Sequence, residues 1–288
     1  MDQANNLRNL LNFRKKEPIS KSARVITVTS GKGGVGKTNF TVNLAIYLKR
    51  QNIRTVVVDA DFGLANIEIL LGSAPRNSLA DLISGRYSID EIITQAEGIS
   101  FISGGTGLSD LANVSGTQLN NIVESMSALD SMADVILVDT GAGISDSVLK
   151  FVASANETIV VCAPEPTSIT DAYSLVKAVK EGCSYIPRFR VVINQTEDKQ
   201  EGDAIFSKLQ SVAGKFLSLN LEHLGTIPRD SNLIKAVKSQ KPCILSFPNS
   251  AYSKEIESIG RKILDLNVEK EPAGMKGFVR RLASIFGS

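Results

Sequence analysis

The eight residues Gly31-Lys32-Gly33-Gly34-Val35-Gly36-Lys37-Thr38 constrain this chain more than any other stretch of it. They follow a β-branched run at 24–29 (RVITVT) and lead into an apolar-periodic stretch at 37–51. A strand that passes through four closely spaced glycines into a helix brings backbone N–H groups together, and the helix N-terminus adds partial positive charge. Gly31 to Thr38 fits GxxxxGK[ST], whose chemistry is phosphate binding. In that pattern the lysine reaches the β- and γ-phosphates and the hydroxyl ligates Mg²⁺. Gly33, Gly34, Val35, Gly36, Lys37, Thr38 and Asn39 are therefore the candidate nucleotide contacts. Lys37 has a catalytic role among them, and Thr38 is a metal ligand.

The rest of the chain supplies the scaffold such a loop needs. Apolar runs at 55–59, 99–103, 135–139, 158–162, 190–194 and 222–227 alternate with helical patterns. Those patterns fall at 116–132, 145–155, 167–181, 203–216, 232–239 and 251–266. Strands this continuously hydrophobic are buried on both faces, as in a parallel sheet. The expected fold is a doubly wound, mostly parallel α/β domain over 23–266. A 1–22 flexible segment precedes it, and a 267–273 linker, rich in charge, Pro and Gly, leads to a helical 274–288 tail. The apolar fraction of 43% is enough for a core, and no apolar run approaches the ~18 residues of a membrane span. Cys162, Cys183 and Cys243 form no CxxC and stand with a single His, which excludes a structural zinc or iron–sulfur centre. This is the composition of a reduced, cytoplasmic protein.

Two carboxylate-bearing strand ends complete a candidate site. Val58-Asp59-Ala60-Asp61 closes the second run, and Val135-Ile136-Leu137-Val138-Asp139 closes a later one. Carboxylates at the carboxyl ends of parallel strands project into the ligand crevice. Asp139 fits a Mg²⁺-holding position, through water, and Asp59 lies near the same shell. Gly141 and Gly143 after it allow a loop there to change shape when a γ-phosphate leaves.

The loop also carries a second lysine, Lys32. KGGVGKT resembles the deviant Walker A pattern of the MinD/ParA family of ATPases. The resemblance implies that Lys32 reaches across a nucleotide-sandwich homodimer to the partner's ATP and is catalytic in trans. The pattern Asp59-Ala60-Asp61-Phe62-Gly63-Leu64-Ala65-Asn66 is similar to switch I of that family, which implies that Asp61 orients the attacking water. By the same likeness Asn194 faces the adenine edge, and Pro228 and Arg229 pack around the base. Asn194-Gln195-Thr196-Glu197 lacks the NKxD of GTPases, which favours ATP over GTP. Ala163-Pro164-Glu165-Pro166 resembles the family's PE segment, without fixing a role for Glu165.

The two ends depart from the body in charge. The first 24 residues carry six basic side chains against two acidic, and residues 274–288 carry three basic and no acidic. The overall +2 therefore leaves −5 for residues 25–273, a poor surface for nucleic acid. Asp2-Gln3-Ala4-Asn5-Asn6-Leu7-Arg8 resembles the activating element of the FlhG/YlxH group of flagellar-number regulators within this family. The resemblance implies that Asp2, Gln3, Ala4, Leu7 and Arg8 engage and activate the signal-recognition-type GTPase FlhF, with flagellar switch (C-ring) proteins as further partners. At about 100° per residue, Met275, Phe278, Val279, Leu282, Ile285 and Phe286 fall within an arc of about 120°. Lys276, Arg280 and Arg281 lie outside it. That is the pattern of an interfacial helix on an anionic membrane surface. A helix that docks the same face on its own domain is its other outcome. The reading is an ATP- and Mg²⁺-dependent dimerising ATPase, peripheral on the inner face of the cell membrane when ATP-bound, that regulates flagellar number. The alternatives are a MinD-like division-site regulator and a ParA-type DNA-partition ATPase.

Overall fold

The apolar runs become buried strands in the computed structural model, which describes residues 22–61, 66–105, 116–265 and 273–286. Strands β1 (Arg24–Ser30), β2 (Thr55–Ala60), β3 (Ile93–Ala96), β4 (Ile99–Ile102), β5 (Val135–Ala142), β6 (Glu157–Cys162), β7 (Arg188–Thr196) and β8 (Glu222–Pro228) form one sheet. Its order is β3-β4-β2-β5-β1-β6-β7-β8, parallel throughout except for β3 against β4. All of β2 and β6 is buried, as strands covered on both faces must be. The connections run to opposite sides of β1, toward β5 and toward β6, so a ligand crevice opens beyond the carboxyl end of β1.

The described helices are α1 (Lys37–Arg50), α2 (Asn66–Leu71), α3 (Leu79–Ile83), α4 (Ile89–Ile92), α5 (Gly116–Ser127), α6 (Leu129–Met132), α7 (Asp146–Ser154), α8 (Pro166–Gly182), α9 (Lys199–Leu217), α10 (Ser231–Lys238), α11 (Cys243–Ser246), α12 (Ala251–Asp265) and α13 (Gly274–Phe286). Alternation along β1 divides the core. Ile26 and Val28 pack with Phe40 and Leu44 of α1 and Ile256 and Ile259 of α12, whereas Val25 joins the opposite face.

Some elements had no periodic signature. Strand β3 is a hairpin arm, paired Ile93 to Ile102 and Ala96 to Ile99. Glu97 and Gly98 turn it with both φ values positive (48° and 81°), which suits the right-handed twist of a two-residue hairpin. Helices α3 and α4 are each about one turn long, too short for a 3.6-residue pattern. Their capping boxes, Ser78 with Asp81 and Ser88 with Glu91, were the legible signal. The single helix expected at 116–132 breaks at Ala128, where the backbone tightens to a bond from Ala128 N to Ser125 O.

The tail helix forms where its periodicity places it, but its apolar arc is not free in this structure. Met275, Phe278, Val279 and Leu282 are buried against Val58, Val138, Ile122, Met126 and Phe151. The Phe278 and Phe151 ring centroids are 6.2 Å apart. The physical cause is the sheet: the Val58 and Val138 face is apolar and needs a cover. At about 1.5–3 kcal/mol for each fully buried apolar side chain, the seat is substantial. Ile285 is half-buried, and the side chain of Phe286 lies outside the described residues. Two basic residues counted with the ends also belong to the body. Arg281 donates to Ser154 O and Asn156 Oδ1, both at 2.7 Å. Arg24 grips Glu157 through Nε and Nη2 at 2.6 and 2.7 Å, and Glu157 also accepts from the buried Arg190.

Both ends of the domain meet at one carboxylate. Asp130 Oδ1 accepts from Ala23 N at 3.1 Å and Met275 N at 2.7 Å, and Oδ2 accepts from Lys276 N at 3.2 Å. The preceding Gly274 has φ 67°, and a Cβ there would lie 2.6 Å from Asp130 Oδ1. Asp130→Ala removes the acceptor for two N–H groups of the first turn of α13. It is expected to cost about 1–2 kcal/mol and to speed amide hydrogen exchange selectively across 275–282. Unchanged protection there would show that apolar packing alone holds the helix.

Candidate nucleotide-binding site

The loop between β1 and α1 has the backbone its glycines allow. Gly34 and Gly36 take φ 79° and 88°, in the left-handed region. Gly36 also lies under Asn194: a Cβ there would meet Asn194 Nδ2 at 2.5 Å. The loop lines a cleft of about 660 Å³ with Ser30, Gly33, Gly34, Val35, Gly36, Lys37, Thr38 and Asn39. Asp61, Asn66, Ile69 and Ala142 close its other side.

Beneath the cleft the sheet register sets the electrostatics. Asp59 of β2 and Val28 of β1 are both in register with Asp139 of β5, so the carboxyl ends of three adjacent strands reach one level. Asp139 is fully buried. Its Oδ1 lies 3.1 Å from Lys37 Nζ and 3.1 Å from the Thr41 hydroxyl, which is also 3.0 Å from Lys37 O. Its Oδ2 is buried without a hydrogen-bond partner. Asp59 Oδ1 accepts from Asp61 N at 2.9 Å, and Asn66 Nδ2 donates to Asp61 Oδ2 at 3.1 Å. Burial pushes the Asp59 carboxyl up to about 8, with neighbouring Asp139 and Asp61 adding to it, against the Asp61 N–H and Lys37. Asp61 is raised as well, first by burial, while Lys37 and Asn66 pull it down.

These residues fit a hydrated Mg²⁺. Three carboxylates around one lysine, with one carboxylate oxygen unsatisfied, form a site short of positive charge. Among the described residues no cluster of three or more His, Cys, Asp or Glu forms a metal cage by itself. Mg²⁺ keeps several waters and takes phosphate oxygens as ligands, so it needs few protein groups. Thr38, on the cleft wall, and Asp139 and Asp59, beneath it, are the groups that would hold it, and it would neutralise charge on the phosphates.

Asn194 is buried, and its amide donates to Val35 O at 2.7 Å, so here it braces the phosphate loop. Gln195, at φ 65°, donates from Nε2 to Gly34 O at 3.0 Å. Arg229 Nε donates to Gln195 O at 3.0 Å, which links Pro228-Arg229 to the loop through Gln195. Thr41, Asn66 and Gln195 had no role assigned from sequence. Asn66 closes the Asp59–Asn66 pattern and Gln195 follows Asn194, so both stood beside legible signals. Thr41 is one helical turn after Lys37 and became visible only through the fold. Asp2, Gln3, Ala4, Leu7 and Arg8 lie outside the described residues.

The family description "ParA: NUBPL iron-transfer P-loop NTPase" matches residues 21–264. The chain is 40% identical to the antiactivator FleN of Pseudomonas aeruginosa over 261 residues, which is 90% of this chain and 93% of that protein. It is 32% identical to the flagellum site-determining protein YlxH of Helicobacter pylori, over 99% of each. Among solved structures it is similar in fold to the cell-division ATPase MinD of Pyrococcus furiosus, with a TM-score of 0.70 at 23% identity. That match covers 85% of this chain and all of the other.

The raised Asp59 carboxyl makes stability pH-dependent. A carboxyl with a folded pKa above its unfolded value binds a proton more tightly in the folded state. Its contribution is complete below about pH 4 and is lost as pH rises toward 8. In nucleotide-free protein with chelator, Asp59→Asn should gain about 1–3 kcal/mol over the parent between pH 5 and 8.5. Denaturant titrations across that range check it, and a difference that does not change with pH would contradict it.

Proposed function

Because the chain belongs to the ParA/MinD family of P-loop NTPases, we propose that it is a flagellar-number regulator that hydrolyses ATP and uses its nucleotide state as a timer. The observation that carries this reading is the convergence at the cleft: Lys37 on buried Asp139, an unsatisfied Asp139 oxygen, and Asp61 held at the mouth by Asn66. In the reading, Lys37 holds the phosphates in cis, and Asp61 orients water for in-line attack. Lys32, which does not line its own cleft, serves the partner's phosphates in an ATP-bound homodimer. The likeness to FleN and YlxH over nearly the whole chain supports the flagellar role.

The two ends carry the output. Residues Asp2 to Arg8 engage and activate an FlhF-type GTPase partner, and α13 attaches the dimer to anionic lipid. The apolar face of α13 is seated on its own domain here, so attachment requires that seat to open. Arg281, committed to Ser154 and Asn156, would have to leave with it. A single tail trading one apolar environment for another gains little, whereas two tails on one dimer bind with avidity. Membrane residence in this reading is therefore a property of the ATP-bound pair.

Steady-state turnover with direct nucleotide-binding measurements tests the assignment of the two lysines. Lys37→Ala should weaken Mg·ATP binding at least about tenfold. Lys32→Ala should leave binding within about threefold and lower turnover by about 100-fold or more, as expected for a residue supplied in trans. Normal turnover by Lys32→Ala would remove the sandwich mechanism. For the membrane arm, vesicle co-sedimentation should require ATP and anionic lipid together, and binding that ignores both would contradict it.

A further inference from the structure

The seat of α13 is not filled. Under the helix lies a cavity of about 50 Å³. It is lined by Phe278, Val279 and Ala283 from the helix, by Val58 and Val138 from the sheet and by Phe151 from α7. Every described side chain around it is aliphatic, aromatic or methionine. A water inside would find no side-chain hydrogen bond, and an apolar cavity of this kind stays dry. The side chains that face it lack neighbours on one side and lose the dispersion contacts of a close-packed core. At the cost per unit of cavity volume found for core truncations, a void of about 50 Å³ weakens the seat roughly five- to tenfold. Ala283, half-buried, is the smallest side chain on the lining.

We propose that this packing gap, left by the small side chain of Ala283, is the device that biases α13 toward lipid and away from its own domain. The proposal rests on the membrane reading above. Moving the apolar face of α13 from the sheet to lipid exchanges one apolar environment for another, so the gain from buried area nearly cancels. Packing does not cancel. Acyl chains are fluid and close around an inserted helix face, whereas the strands and α7 are held by the sheet and collapse only partly into a void. The gap therefore works against the polar contacts that keep the helix seated. Those are Asp130, which accepts from Met275 N and Lys276 N, and Arg281 on Ser154 O and Asn156 Oδ1. Two tails act in one dimer, so the bias applies twice.

Ala283→Val adds two carbons at the gap, and Val279→Ile adds one from the preceding turn. In the full-length protein, amide hydrogen exchange across 275–282 should slow about three- to tenfold in Ala283→Val and by less in Val279→Ile. Xenon, which enters dry apolar cavities, should slow the same amides in the parent and do so less in Ala283→Val. Co-sedimentation with phosphatidylglycerol vesicles in Mg·ATP should weaken by at least the factor by which exchange slows, while turnover without lipid stays that of the parent. Exchange unchanged by both substitutions and by xenon, or slowed with no loss of vesicle binding, would overturn the proposal. Should the valine clash and speed exchange, the xenon result on the unaltered chain decides. A parent that binds no vesicles in Mg·ATP would instead sink the membrane reading, and the exchange results would still decide whether the gap loosens the seat.

Discussion

The buried contact between Lys37 and Asp139 is the interaction on which the site depends. A carboxylate with no solvent exposure is tolerable only when its charge is met, and Lys37 and Thr41 meet one of its two oxygens. The lysine is placed by the turn from Gly36 into α1, and the aspartate by the register of β5 between β1 and β2. Changing either the strand order or the loop would separate them. The same register delivers Asp59 beside Asp139, and the chain beyond β2 carries Asp61 to the cleft. The arrangement of the site is thus a consequence of three parallel strands ending at one level, with one Asp139 oxygen left without a hydrogen bond.

The opposite edge of the sheet is organised by a different set of charges. Arg24, Glu157, Arg190 and Glu222 tie the amino ends of β1, β6, β7 and β8 together. Nearby, Asp130 joins the start of the domain at Ala23 to the first turn of α13. One carboxylate therefore holds both Ala23 and the start of α13.

Much of this was legible in the sequence because it depends on local patterns. The phosphate loop is eight contiguous residues, and the strands that matter most are apolar runs ending in Asp59 and Asp139. What stayed hidden depends on distance in the chain. Nothing local marks Glu165 as the acceptor for Lys32, 133 residues away. The periodicity of 275–286 defined an apolar face correctly but not what covers it. Lipid and the Val58–Val138 face of the sheet are equally apolar, and only the fold shows that the latter stands open to α13. Charge counting misassigned Arg24 and Arg281 for the same reason: a composition does not say which arginines are spent inside the domain. Asn194 illustrates a further limit, since one amide serves equally to meet a base edge or to brace the loop.

In the proposed function, hydrolysis through Asp61 ends a state that ATP binding creates. Sedimentation velocity of Asp61→Ala with Mg·ATP tests this most directly, because the variant leaves Lys32, Lys37, Thr38 and Asp139 in place. The variant should form a dimer that persists for as long as ATP is present, while the parent returns to monomer as ATP is consumed. A variant that stays monomeric in saturating Mg·ATP, or that reverts as fast as the parent, would contradict it.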